Sequence, residues 1–209
     1  MTTINGTTPV KTIIFDLGNV LIDWNPRYLY RKLMKTEEEV SWFLENICTS
    51  AWNDEQDGGR SFEEATEILV KQHPEWEAPI RSWYGRWQET ISGSIPGTVE
   101  ILKDLKIKNK FPLYALTNWS AQTFPWAFDT FEFLHWFDGI VVSGVENCRK
   151  PSAEFYQILF DRYQVDPASA LFIDDNIKNI AGAEAVGLQT IHFKSPELLR
   201  EELVKRSIL

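Results

Sequence analysis

Five short apolar runs, separated by helical patterns, limit the fold of this chain more than any other feature of its sequence. They span residues 12–15, 113–116, 140–142, 170–173 and 190–193, and they are rich in β-branched residues. Runs that are apolar at nearly every position are typical of strands buried on both faces of a sheet. Because helical patterns alternate with the later runs, we predict an α/β fold with a doubly wound, parallel, Rossmann-like sheet.

The region between the first two runs has a different pattern. Residues 24–94 carry no strand signal and predict consecutive helices, one of which begins at Ser61 with Glu64 completing a capping box. Two apolar stripes at helical spacing run through this region: Val40, Phe43, Leu44 and Ile47, and then Ile80, Trp83, Tyr84 and Trp87. The region is therefore expected to be a helical insertion.

The chain is thus expected to consist of a core interrupted by a cap. We predict a Rossmann-like core at residues 12–23 and 95–209, a helical cap at residues 24–94, and a disordered tail at residues 1–11. Six of the nine tryptophans fall in the cap. Their indole rings are expected to fill the interior of the cap, and the alternative is that one or two face the active site and stack on a substrate ring.

Charge and hydropathy limit the partners of the chain. Acidic residues outnumber basic ones by 30 to 21, for a net charge of -9, which argues against a broad surface for nucleic acid or anionic membranes. No stretch approaches the roughly 18 apolar residues of a membrane span. The N-terminus is polar and lacks the apolar segment that is typical of a secretory signal. We expect a cytoplasmic monomer or homodimer that binds neither nucleic acid nor membranes.

Polar side chains follow three of the apolar runs, and a lysine precedes a predicted helix. They are Asp16, Thr117 with Asn118, Asp174 with Asp175, and Lys150. The carboxyl ends of parallel strands meet at one edge of a sheet, so these residues are expected to share a crevice. Neighbouring carboxylates repel unless a cation offsets their charge, and their oxygens suit Mg²⁺. With donors for phosphoryl oxygens from Lys150, Thr117 and Asn118, the pattern predicts a phosphoryl-transfer site.

Taken together, the motifs resemble the haloacid dehalogenase-like (HAD) hydrolase superfamily over nearly the whole chain after Lys11. The motifs are FDLGNVLID, LTN, RKP and FIDDN, which contain Asp16, Thr117, Lys150 and Asp174, respectively. Pro96-Gly97, Gly182-Ala183 and Val186-Gly187 look like the corresponding segments of members with a small helical cap. Some members that start with the same DLGNV motif look like sugar-phosphate phosphatases. The resemblance implies the α/β fold of this superfamily, phosphatase activity and a phosphorylated metabolite as substrate.

The resemblance also implies roles for these residues. Asp16 would attack phosphorus and form an aspartyl phosphate, which water then hydrolyses. Thr117, Asn118 and Lys150 would hold the phosphoryl group, and Lys150 would also assist catalysis.

A Mg²⁺ ion is the cofactor that the resemblance implies. Its ligands would be the Asp16 carboxylate, the Gly18 backbone carbonyl and Asp175. Asp174 would either bind the ion or lie just behind its ligands.

One position departs from the family pattern. Most phosphatases of the family have a second aspartate as general acid and base where this chain has Gly18. A positioned proton donor is worth about 10²- to 10⁴-fold in rate. Either another group donates the proton, or the substrate has an acidic leaving oxygen, as a sugar 1-phosphate has. Asp23 is the nearest candidate donor, although it is expected to cap a helix that begins near Pro26.

The favoured function is a Mg²⁺-dependent phosphomonoester hydrolase that acts on a small phosphorylated metabolite, with sugar phosphates among the candidates. Two alternatives remain open. Dehalogenases of the family also lack the second aspartate, although their fourth motif typically has Ser and Asn where this chain has Asp174 and Asp175. The other alternative is a catalytically weak protein that binds a phosphorylated metabolite without a general acid.

Overall fold

A computed structural model describes residues 8–209, so residues 1–7 of the predicted tail lie outside the described part. The strands are β1 (Thr12–Phe15), β2 (Ile22–Trp24), β3 (Ile91–Ser94), β4 (Leu113–Thr117), β5 (Gly139–Val142), β6 (Ala170–Asp174) and β7 (Gln189–His192). The α-helices are α1 (Arg27–Tyr30), α2 (Glu37–Asn46), α3 (Ser50–Asp57), α4 (Phe62–Gln72), α5 (Glu77–Gly85), α6 (Pro96–Lys108), α7 (Phe124–Thr130), α8 (Ser143–Glu146), α9 (Ala153–Tyr163), α10 (Ile177–Ala185) and α11 (Pro196–Lys205). None of the helices in this part of the chain is long and apolar enough to cross a membrane.

The central sheet has five parallel strands in the order β5-β4-β1-β6-β7. This arrangement confirms the predicted doubly wound α/β fold. Strand β1 lies in the middle, with Phe15 opposite Ala115 of β4 and Ile173 of β6. The chain continues outward from β1 in opposite directions through its two neighbours, so a crevice opens at the carboxyl end of β1. Asp16 directly follows β1 at that point.

Apolar side chains of the sheet point alternately to two buried cores. Ile13 and Phe15 belong to one core, which continues into the helices between β2 and β3. Ile14 and Phe172 belong to the other, which includes Tyr156 on helix α9. Burial on both faces explains why the strand sequences are apolar without alternation.

A two-stranded antiparallel ribbon corrects the expectation that residues 24–94 contain no strand. Strands β2 and β3 pair with Asp23 opposite Gly93, and the register shifts beside Asp23. The strands have only three and four residues, and Gly93 has a φ of 136° that favours glycine. Such short segments show no clear alternation in sequence. All helices from α1 to α5 lie between these two strands, so the chain enters and leaves the helical region through the ribbon.

Side-chain caps set the first residues of several helices. Ser61 accepts a hydrogen bond from the backbone N–H of Glu64 over 3.2 Å, which confirms the helix predicted to begin there. Ser195 caps helix α11 in the same way through Leu198. Ser152 precedes helix α9, but its side chain makes no capping hydrogen bond.

Candidate active site

Lys150 is the centre of the charged cluster at the carboxyl edge of the sheet. Its side chain is fully buried, and Nζ lies 2.9 Å from Asp16 Oδ1 and 2.7 Å from Asp174 Oδ2. The third hydrogen bond of Nζ goes to the backbone carbonyl of Leu116 at 2.7 Å. A buried ammonium is tolerated only when its charge and all its donors are paired, and these three acceptors meet that need. The tertiary fold therefore brings Lys150 into contact with both aspartates, from a loop distant in sequence.

The side chain of Asn118 holds the backbone of Lys150. Its Oδ1 accepts a hydrogen bond from the Lys150 N–H over 2.9 Å, and its Nδ2 donates to the Lys150 carbonyl over 3.0 Å. This reciprocal pair fixes the loop that carries the ammonium. One N–H of the Asn118 amide is left for a ligand, and its role in substrate binding stays a prediction.

Asp174 and Asp175 follow one another but have different surroundings. Asp174 is fully buried and accepts hydrogen bonds from the Asn176 backbone N–H over 2.7 Å and from Asn179 Nδ2 over 3.1 Å. Asp175 is half-buried. One carboxylate oxygen from each of Asp16, Asp174 and Asp175 lies within 4.8 Å of the others. Oxygens grouped at this spacing can coordinate one divalent cation.

The electrostatics of the cluster also favour a cation. Burial raises the pKa of Asp16 to about 8; the neighbouring Lys150 lowers it, and the charges of Asp174 and Asp175 raise it. Burial and the charge of Asp174 also raise the pKa of Asp175. Although burial alone would lower the pKa of Lys150, the two carboxylates beside it raise that pKa. Three carboxylates face one ammonium, so a bound cation would stabilise their ionised forms.

Thr117 carries a buried hydroxyl with no partner. Among residues 8–209, the buried side-chain nitrogen and oxygen atoms without a hydrogen bond are Thr117 Oγ1, Trp83 Nε1 and Thr98 Oγ1. An unpaired buried hydroxyl is costly, and Thr117 lies at the carboxyl end of β4 beside the cluster. A phosphoryl oxygen at this edge would satisfy it, which fits the role predicted for Thr117.

Gly18 lies in a tight loop after Asp16. The Leu17 carbonyl accepts hydrogen bonds from the backbone N–H groups of Leu21 and Ile22, which folds the loop back on itself. A Cβ atom built on Gly18 would meet no atom within 4 Å. The place where most family phosphatases carry their second carboxylate is therefore open space. The role predicted for the Gly18 carbonyl as a metal ligand stays a prediction.

A cavity of about 260 Å³ adjoins the cluster, between the helical region and the sheet. Gly18, Asn118 and Asn176 form its wall on the sheet side. Its other walls carry five aromatic rings, which belong to Trp24, Phe62, Tyr84, Trp87 and Trp119.

The tryptophans of the helical region differ in whether they line this cavity. Trp24 and Trp87 line the cavity, as in the alternative in which one or two indoles face the site. Trp83 is buried in the interior instead. Sequence reasoning missed Phe62 and Trp119, although Trp119 directly follows the LTN motif and offered a signal.

Asp23 does not cap a helix. At the start of α1 the side chain of Asn25, and not that of Asp23, accepts a hydrogen bond from the Arg27 N–H over 3.0 Å, so this prediction is wrong. Asp23 lies in β2, and its carboxylate accepts a hydrogen bond from the Tyr28 hydroxyl over 2.9 Å. It is not among the residues that line the cavity.

The fold and the site define a class: α/β hydrolases with an aspartate cluster at the carboxyl edge of a doubly wound sheet. The model of the haloacid dehalogenase-like hydrolases matches residues 10–187. The chain belongs to this hydrolase family.

Three proteins illustrate the similarity. The sesquiterpene phosphatase astK of Aspergillus oryzae is 26% identical over 185 residues, which cover 88% of this chain and 90% of astK. A HAD family enzyme of Bacteroides thetaiotaomicron, solved with magnesium and inorganic phosphate, is 20% identical with a TM-score of 0.65, and the match covers 89% of this chain and 95% of that one. The L-2-haloacid dehalogenase of Xanthobacter autotrophicus is 19% identical with a TM-score of 0.63, covering 96% and 84%. The structural matches show a shared fold.

Proposed function

We propose that this protein is a Mg²⁺-dependent phosphomonoester hydrolase that works through an aspartyl-phosphate intermediate. The observation that carries the proposal is the buried contact of Lys150 with both Asp16 and Asp174, beside the half-buried Asp175. This arrangement combines a candidate nucleophile, a fixed positive charge and a set of hard oxygen ligands. Solved relatives in complex with magnesium and phosphate support the choice of cofactor and ligand.

Each residue has a task in this mechanism. Asp16 attacks phosphorus while the backbone N–H of Leu17 and Lys150 Nζ hold its Oδ1 in place. Thr117 Oγ1 and the free N–H of Asn118 donate to phosphoryl oxygens.

The carboxylates of Asp16 and Asp175 and the carbonyl of Gly18 would hold Mg²⁺, while Asp174 orients Lys150. Bound Mg²⁺ supplies charge neutralisation for the phosphoryl oxygens. The aromatic cavity excludes water from the reacting centre when the organic group of a substrate fills it.

The walls of the cavity indicate the kind of organic group. Five aromatic rings around about 260 Å³ favour an apolar chain or a ring that stacks on indole. We therefore propose substrates in which the phosphate is attached to such a group. An isoprenoid monophosphate fits the apolar walls, and the name of the relative astK points the same way. A sugar 1-phosphate, which could stack on Trp87, stays a prediction.

The test is turnover of p-nitrophenyl phosphate with Mg²⁺, with EDTA, and by the Asp16→Asn variant. We expect turnover with Mg²⁺ and its loss in the other two cases. A panel of farnesyl monophosphate, glucose 1-phosphate and glucose 6-phosphate then ranks the organic groups.

Two results would contradict the proposal. Activity on 2-chloropropionate that persists in EDTA would favour the dehalogenase alternative. Binding of phosphate esters without any turnover would favour the binding protein.

A further inference from the structure

Asp57 joins the helical region to the core at the edge of the cavity. It is the last residue of α3, and its backbone carbonyl accepts a hydrogen bond from the Ser143 hydroxyl. Its carboxylate accepts a hydrogen bond from Asn53 Nδ2 over 3.0 Å. The side chain is half-buried and lines the cavity. Asn53 thus holds the carboxylate, while Ser143 of the core holds the backbone of the same residue.

The same cavity contains the open position at Gly18. Both Gly18 and Asp57 contribute to its walls, and nothing lies within 4 Å of a Cβ atom built on Gly18. The position at which most family phosphatases carry their second carboxylate, Gly18, thus lines the same cavity as the Asp57 carboxylate of the helical region. Asp57 therefore lines the cavity that would hold the organic group of a substrate whose phosphate lies at Asp16.

The other titratable groups on the cavity wall are poorly suited to donate a proton. Asp54 forms an ion pair with Arg149, with 3.3 Å between Oδ2 and a guanidinium nitrogen. Tyr84 is half-buried, and burial raises the pKa of its phenol. Its hydroxyl oxygen already accepts a hydrogen bond from Gln56 Nε2 over 2.8 Å. Asp57 is the titratable group that remains.

We propose that Asp57 is the general acid and base of the reaction and replaces the carboxylate that is absent at Gly18. This inference rests on the proposed phosphatase function. When an Asp16 oxygen bonds to phosphorus, the bond from phosphorus to the leaving oxygen breaks. That oxygen keeps the electron pair and takes the proton of Asp57, which yields the alcohol.

The second half of the reaction returns the proton. The Asp57 carboxylate accepts a proton from water as the water oxygen bonds to phosphorus. The bond from phosphorus to Asp16 breaks, and the electron pair returns to the Asp16 carboxylate. Inorganic phosphate leaves, and both aspartates regain their starting states.

The surroundings of Asp57 suit this task. Burial, with a smaller contribution from the charge of Asp54, raises the pKa of Asp57 to about 7, while Arg149, Ser120 and Asn53 act to lower it. Tyr84, the other titratable neighbour, is uncharged. A group whose pKa lies near the working pH can both donate and accept a proton efficiently.

The test compares two substrates of similar shape and different leaving groups. p-Nitrophenyl phosphate releases a stable phenolate, whereas p-nitrobenzyl phosphate releases an alcohol that needs a proton. We expect Asp57→Asn to lower kcat/KM for p-nitrobenzyl phosphate by about 10²- to 10³-fold, and for p-nitrophenyl phosphate by less than about tenfold. Because the variant also loses the base, p-nitrophenolate should appear in a burst of about one per protein before slow turnover.

Glu55→Gln is the matched control, since it removes an exposed carboxylate from the same helix at a position that does not line the cavity. We expect it to leave the ratio of the two kcat/KM values unchanged. The wild-type kcat/KM for p-nitrobenzyl phosphate should fall above about pH 7, and Asp57→Asn should lose this decline. Asparagine retains an acceptor for Asn53. Asp57→Ser is the second variant, to be used if Asp57→Asn folds poorly.

The outcomes separate the two proposals. A wild-type protein without turnover of p-nitrophenyl phosphate would overturn the phosphatase function, and with it the role of Asp57. In a second outcome, the wild-type protein turns over both esters, and Asp57→Asn lowers kcat/KM for both equally and shows no burst. This outcome would leave the phosphatase function intact but would overturn the role of Asp57, which would then only join the helical region to the core.

Discussion

Lys150 Nζ lies 2.9 Å from Asp16 Oδ1 although 134 positions, from 16 to 150, separate the two residues in the chain. The same ammonium contacts Asp174 at 2.7 Å, and Lys150 is fully buried. The contact therefore serves both the candidate nucleophile and the stability of the fold. A substitution of Lys150 is expected to change both catalytic activity and stability.

Removal of the buried ammonium should abolish turnover and destabilise the protein. Lys150→Met leaves Asp16 and Asp174 buried without their cation, and loss of one partner of a buried pair costs about 3–5 kcal/mol. The decrease in the free energy of unfolding should be larger at pH 8 than at pH 5.5, because a protonated carboxyl group needs no cation. Urea unfolding in EDTA at both pH values measures this decrease. Equal destabilisation at the two pH values would contradict this account of the pair.

The unpartnered hydroxyl of Thr117 should contribute to phosphate binding and little to stability. Thr117→Val removes one hydrogen bond to a charged ligand, which we expect to weaken inhibition by inorganic phosphate about tenfold. Thr98→Val is a matched control, because Thr98 Oγ1 is also buried without a partner and lies on helix α6. The control should leave phosphate inhibition unchanged. The same change in both variants would rule out a specific contact from Thr117.

Mg²⁺ should stabilise the folded protein through Asp175. A ligand at 100 times its Kd adds about 2.7 kcal/mol to the free energy of unfolding. We expect Tm to rise with Mg²⁺ in the wild type and hardly at all in Asp175→Asn. Asp129→Asn, which changes an exposed carboxylate on α7, should behave like the wild type. An unchanged response to Mg²⁺ in Asp175→Asn would exclude Asp175 as a ligand.

The raised pKa of Asp57 should appear in the pH dependence of stability. Between its ordinary pKa of 3.8 and the value of about 7 in the fold, the folded protein binds more protons than the unfolded chain. Asp57 thus lowers the free energy of unfolding as the pH rises through this window, and the loss levels off above it.

Asp57→Asn removes this contribution, so its stability relative to the wild type should increase from pH 4 to pH 7. Urea unfolding across this range measures the difference. Glu55→Gln, which removes an exposed carboxylate from the same helix, should retain the decline seen in the wild type. A constant difference between Asp57→Asn and the wild type would show that the pKa of Asp57 is not raised.

The sheet and much of the site could be predicted because they depend on local patterns. Apolar runs buried on both faces define strands, and residues that directly follow parallel strands meet at one edge. Asp16, Thr117 and Asp174 lie where this rule places them. The ribbon of β2 and β3 could not be predicted, because three or four residues are too few for a pattern.

The sequence by itself determined the sheet, the edge at which the carboxylates meet and the absence of a carboxylate at Gly18, since each is a property of residue type and position in the chain. The tertiary structure decided which distant groups touch. It gave Lys150 its two aspartates, gave Asn118 the backbone of Lys150, and placed Asp57 in the cavity with Gly18. Such contacts depend on how helices pack against the sheet. No local pattern of residues records that packing.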